Sequence, residues 1–159
     1  MKVFIVALSL ISCSLLWAKS SVDIHVSLTP AGSFTGVSDK IKGKISKTEN
    51  GFTSKRIELN IRSIRTGIDL RDEHLWEHLN YKTHSKATLT ELKASDGTGT
   101  AFLEVNGVKI PVNVTYKDNN GNVDASFKVK ASSFNLPPKS YLGVGVSDEV
   151  LVNVKMDYK

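Results

Sequence analysis

The residues best suited to chemistry stand together in His74-Leu75-Trp76-Glu77-His78. On a helix, two histidines four positions apart share a face and could grip a zinc ion, with the glutamate acting as a base. Such a centre needs a further acidic ligand from a second long helix, and no second helical pattern is visible in the chain. The plainer alternative is a polar helix face with two exposed histidines. Arg62, Arg65 and Arg71 lie close to the same segment. Their guanidinium forks suit a pyrophosphate, and they could equally pair with Asp69, Asp72 and Glu73. Lys40, Lys42, Lys44 and Lys47 form a basic stripe. It reads either as attraction to anionic head groups or as a solvated strand face whose lysines discourage edge pairing. No serine has a histidine and an acid at an informative spacing, and no Gly-rich loop follows a strand and opens a helix. No positive feature supports an enzyme, and no cofactor is implied.

The elements that must position these residues are bounded first by composition. The chain has 159 residues, enough for one domain, or for one domain and a targeting segment. Apolar residues at 40% and charged residues at 23% exclude disordered and collagen-like classes. Lysine and arginine number 21 against 16 acids, giving a net charge of +5. The surplus is spread along the chain without a block of like charge, so no nucleic-acid partner is expected. A single cysteine excludes an internal disulfide.

Lys2 is followed by an apolar stretch that ends at Ala18. Sixteen helical residues reach about 24 Å, short of the ~30 Å hydrocarbon core. The pattern predicts a secretory signal peptide over residues 1–18, cleaved after Ala18, with the folded domain over residues 19–159. That domain would carry no stable membrane span. Leu10-Ile11-Ser12-Cys13 resembles a lipobox, so lipidation at Cys13 is the alternative. It would leave Ser14-Leu15-Leu16-Trp17 as an apolar tether in water.

Beyond residue 20, polarity alternates with period two. Val22, Ile24, Val26 and Leu28 share a face, as do Ile41, Gly43 and Ile45, then Ile57, Leu59 and Ile61. The pattern returns in Ala101, Leu103 and Val105, in Ile110, Val112, Val114 and Tyr116, and in Val123, Ala125, Phe127 and Val129. It ends with Val150, Val152, Val154, Met156 and Tyr158. Asn50-Gly51, Asp96-Gly97, Asn106-Gly107 and Asn120-Gly121 stand between runs, and such pairs accept the positive φ of tight hairpin turns. The prediction is an all-β protein, an antiparallel meander of about eight strands with one apolar face. A sheet of that size must cover this face, and closure into an up-and-down barrel also removes its edges. An eight-stranded barrel has room inside for side chains or one small ligand.

Thr66 to Ser85 breaks the strand rhythm. Asp69 or Asp72 could cap one short helix running to about His78, with Leu75 and Leu79 on its apolar face as a plug at a barrel mouth.

Ser63-Ile64-Arg65-Thr66-Gly67 followed by Arg71-Asp72-Glu73-His74-Leu75 resembles the YceI-like family. That family shows a strand ending in a Ser-x-x-Thr-Gly turn, then Arg-Asp-x-x-Leu opening a short helix. Leu103 to Val112, Phe127 to Phe134 and Ser147-Asp148-Glu149-Val150 are similar to further segments of the family, so the likeness covers most of residues 22–158. It implies an extended lipocalin-like barrel holding a polyisoprenoid chain in the periplasm. Two elements depart from the family pattern: Leu79-Asn80-Tyr81 with Ser85-Lys86 after the helix, and the surroundings of Thr29-Pro30 on the first strand.

The expected function is therefore a periplasmic binding or carrier protein for an isoprenoid or other long-chain lipid. Phe34, Ile61, Leu103, Val112, Val114, Phe127, Val129, Val152, Val154 and Met156 are the candidate lipid-lining residues, with Trp76 and Tyr81 closing the mouth. Two rival functions remain. One is a surface interaction module with a filled core, acting as a homodimer through an open edge strand. The other is a zinc-dependent hydrolase through His74, Glu77 and His78.

Overall fold

A computed structural model describes residues 19–141 and 143–158. The expected signal segment, residues 1–18 with Cys13, lies outside the described residues.

The alternating runs form strands because each can bury one face and solvate the other. They are β1 (Ser21–Thr29), β2 (Ser33–Ser38), β3 (Ile41–Gly43), β4 (Ser46–Lys47), β5 (Gly51–Asn60), β6 (Lys86–Ser95), β7 (Thr98–Val105), β8 (Val108–Asp118), β9 (Asn122–Lys130), β10 (Ser140–Tyr141) and β11 (Val144–Asp157). The helix α1 (Asp69–His78) and 3-10 turns at Ile61–Ser63 and Ala131–Phe134 complete the domain.

The strand order is β2-β1-β11-β9-β8-β7-β6-β5-β3, with antiparallel pairing between the named strands. The two ends of that order are consecutive in the chain. β2 pairs with β1, while β3 and β4 pair with β5, so one bent run joins both edges of the sheet. Counted this way, the strand positions are β1, the β2–β4 run, β5, β6, β7, β8, β9 and β11, the expected up-and-down eight. The short β10 only pairs with the start of β11. Bridges between Val37 and Arg65, and between Ile45 and Tyr158, stitch the seam.

Asp96, Asn106 and Asn120 adopt φ of 51°, 52° and 53°, each followed by a glycine with positive φ, as tight hairpins require. Asn50-Gly51 works differently. Gly51 opens β5, and a Cβ there would lie 2.0 Å from the Ala94 carbonyl oxygen. Its glycine is needed for close approach.

Three sequence expectations are corrected. The strand expected over Ile41 to Ile45 ends at Gly43, whose φ is 153°; Ile45 makes an isolated bridge and β4 starts only at Ser46. β2 and β6 are strands that the alternation did not reveal. At the helix start, Ile68 occupies the cap position with no side-chain cap bond. Asp72 lies inside the first turn and reaches back to the preceding corner, where it binds Thr66.

Inward residues from all sides form the core, with Phe52, Phe134 and Met156 each 2% exposed. Aromatic rings pack at the end bearing the 96–97 and 120–121 turns. Phe52 sits 5.3 Å from Tyr116 and 4.8 Å from Tyr158, centroid to centroid. The Tyr158 hydroxyl donates to Asp118 at 2.6 Å, and the Lys47 ammonium joins the same carboxylate at 2.8 Å. The opposite end carries α1 and both 3-10 turns. Among the described residues, no helix is long and apolar enough to cross a membrane.

Candidate functional site

The inward side chains pack around the barrel axis without filling it. They leave a cavity of about 210 Å³. Every long strand contributes, since alternation sends each second residue inward. On β11 alone, Val150, Val152, Val154 and Met156 line it, roughly 20 Å of wall at about 3.3 Å per residue. The lining is almost wholly hydrocarbon. Tyr116 is the exception, and its hydroxyl is turned to the Asn50 carbonyl at 3.4 Å. The cavity is smaller than pockets that hold drug-sized ligands, about 300–1,000 Å³, so a long guest has to push side chains aside.

Phe34, Ile61, Leu103, Val114, Phe127, Val129, Val152, Val154 and Met156 all stand on this wall. Val112 does not. It is 6% exposed and packs in the core beside its register partner Ala101 without reaching the cavity. Trp76 and Tyr81 are also off the wall. An indole N–H that is partly buried requires an acceptor, and Trp76 Nε1 donates to the Ile64 carbonyl at 3.0 Å. Its ring lies beneath the guanidinium groups of Arg65 (4.6 Å) and Arg62 (5.6 Å), with Tyr81 6.4 Å away. The cavity side of this end is taken instead by Leu75 of α1 and by Leu79, which caps its C-terminus. Phe134 and Leu136, buried beyond β9, complete that end. Sequence reading passed over them because they fall in a turn, outside any alternating run.

The polar groups around α1 do not assemble a catalytic set. His74 and Glu77 are exposed. His78 is half-buried, and its pKa is held below 6.5 by that burial and by the charge of Lys139. Among the described residues, no three His, Cys, Asp or Glu side chains converge as metal ligands. Of the three arginines, Arg65 alone approaches an acid, with Nε 3.9 Å from Asp72. Arg71 Nη2 donates to the Thr66 carbonyl at 2.7 Å, and its guanidinium lies 4.8 Å from the Phe34 ring centre. In the basic stripe, Lys40 lies 3.8 Å from Asp39 and Lys47 is paired with Asp118.

An apolar lumen inside a closed meander, with a helix at one end, narrows the family. The model of the YceI-like domain matches residues 15–158. The chain belongs to the YceI-like family. A sequence search of curated proteins returned no match. Solved structures share the fold at low identity. BcnA of Burkholderia cenocepacia is 18% identical with a TM-score of 0.69, over 86% of this chain and 94% of that one. A polyisoprenoid binding domain from Saccharophagus degradans is 19% identical, TM-score 0.62, over 86% and 91%. The Campylobacter jejuni YceI protein is 22% identical, TM-score 0.57, over 78% and 84%. In this YceI-like chain, the Ser63-to-Leu75 segment forms the corner that seats α1. Asp72 holds Thr66, Trp76 holds Ile64, and Ile64 and Leu75 turn inward onto the wall.

Proposed function

We propose that the protein binds a long-chain, isoprenoid-type lipid inside the barrel and sequesters or carries it in the periplasm. The observation that carries this reading is the hydrocarbon-lined cavity at the centre of a YceI-like fold. Its likeness to a polyisoprenoid binding domain supports the choice of lipid class. A chain of about 20 carbons gains on the order of 16 kcal/mol at about 0.8 kcal/mol per buried methylene. Association and ordering cost about 4–15 kcal/mol, so useful affinity needs no catalytic group. The cationic start at Lys2, the apolar run and Ala18 support export, with residues 1–18 removed.

The test is solvent extraction of the natively purified protein followed by mass spectrometry, with uptake of isoprenoid quinones and prenyl phosphates measured in parallel. A co-purifying or captured isoprenoid is the expected result. Repeated absence of lipid together with no uptake overturns the reading. N-terminal sequencing of the protein from fractionated cells tests export. A start at Lys19 in the periplasmic fraction is expected, whereas a lipidated Cys13 supports the lipoprotein alternative.

A further inference from the structure

The wall of the cavity supplies no polar contact, so anything that fixes the end of a guest must stand at its rim. Phe34 is the rim residue on β2. It pairs with Val26, both line the cavity, and only Ser33 lies between it and the β1–β2 turn. Arg71 lies directly on it, guanidinium to ring centre 4.8 Å.

Two features separate Arg71 from both other arginines of the corner, and a third separates it from Arg65. Arg65 is turned to Asp72 and Trp76. Arg62 lies on Trp76 and Tyr81, neither of which faces the cavity. Of the three, Arg71 alone lies over an aromatic ring that lines the cavity. It has no carboxylate within ion-pair distance among the described residues. Its Nε is buried without a hydrogen-bond partner. Native proteins rarely leave a buried donor unmet, and a charged one is the most expensive to leave so. The Thr66 carbonyl takes a single N–H, from Nη2. Nε and the remaining guanidinium hydrogens form a fork suited to two oxygens of one oxyanion.

We propose that Arg71 is the head-group site of the cavity, and that the guest is an amphiphile ending in an oxyanion, a phosphate or a carboxylate. The inference rests on the lipid reading above. The hydrocarbon enters the lumen and displaces the Phe34 ring. That movement uncovers Nε for the head group, which stays at the rim. Neutral chains still bind through the lumen, only more weakly.

The test is calorimetric titration of the delipidated protein with matched pairs: farnesyl monophosphate against farnesol, and hexadecanoate against hexadecanol. The anionic member is expected to bind about tenfold tighter or more. Arg71→Gln should bring its Kd to that of the alcohol, while the alcohol itself is unchanged. Arg62→Gln should keep the preference. A preference in both pairs defines a general oxyanion site, and one confined to the first pair defines a phosphate site. Equal affinities in the wild type, or a preference that survives Arg71→Gln, overturn the proposal. Failure of every probe to bind overturns the lipid reading, and this inference with it. If Arg71→Gln does not fold, the Arg71 Nε–H resonance of the wild type decides. It shifts with farnesyl monophosphate and not with farnesol if the proposal holds, and its failure to shift overturns the proposal.

Discussion

Asp72 satisfies both donors of Thr66 at once, with Oδ1 2.6 Å from the backbone N and 2.6 Å from Oγ1. The carboxylate is 2% exposed at the residue level, yet it sits on a helix whose start has no side-chain cap. It therefore stabilises the corner and the first turn of α1 together. Asp72→Ala leaves two buried donors unmet and is expected to lower unfolding stability by about 2–3 kcal/mol. Urea denaturation of the two proteins checks this. A change under about half a kcal/mol would mean that the Asp72–Thr66 bonds do not stabilise the corner.

Val112 and Val114 lie two residues apart on the same face, but only Val114 reaches the lumen. Val114→Trp should fill the space and abolish uptake of a hydrocarbon probe while the barrel remains folded. Val112→Ala should cost about 2 kcal/mol through lost burial and leave uptake intact. Circular dichroism and lipid titration on both variants separate packing from lining. If Val114→Trp binds normally, the lumen is not the site.

Gly51 faces the backbone of β6. A Cβ there would come 2.0 Å from a main-chain oxygen, and backbone has no rotamer with which to yield. Gly51→Ala should cost about 1–3 kcal/mol through forced strand displacement. The melting temperature reports it, and an unchanged value contradicts this packing.

His78 gives a pH signature. Its folded pKa is lowered from 6.5 by burial, and further by Lys139. Between that lowered value and 6.5 the unfolded chain binds the proton more readily. The histidine's contribution to stability is therefore complete above pH 6.5 and is lost as pH falls through the folded value. Wild type should melt at a lower temperature at pH 5.5 than at pH 7.5, and His78→Gln should show a smaller difference. An equal difference in both proteins would mean that other groups set the slope.

The long strands were legible because their inward residues are apolar at every second position, as in Val150 through Met156. β2 was not, because its inward residues after Phe34 are Gly36 and Ser38. Gly36 is small for a tertiary reason. A Cβ there would stand 2.7 Å from Ile64 Cγ2, across the seam from a residue distant in sequence. β6 hid its rhythm behind a bulge. Glu91 takes φ 57° and the register shifts between Thr90 and Lys93, so the inward leucines fall at 89 and 92. On α1, spacing alone identified Leu75 and Leu79 as the apolar face. Spacing did not show what fixes Trp76, whose indole N–H is bonded to the Ile64 carbonyl and whose ring lies under two guanidinium groups. Pattern reads the chemistry of a face. It does not read which polar atoms compete for a side chain.

The Phe52, Tyr116 and Tyr158 rings pack together at the end of the barrel away from α1. A guest of the proposed kind would then enter tail-first from the end that carries α1 and leave head-first by the same way. Its terminal group would never travel the length of the barrel and would stay the part nearest to solvent.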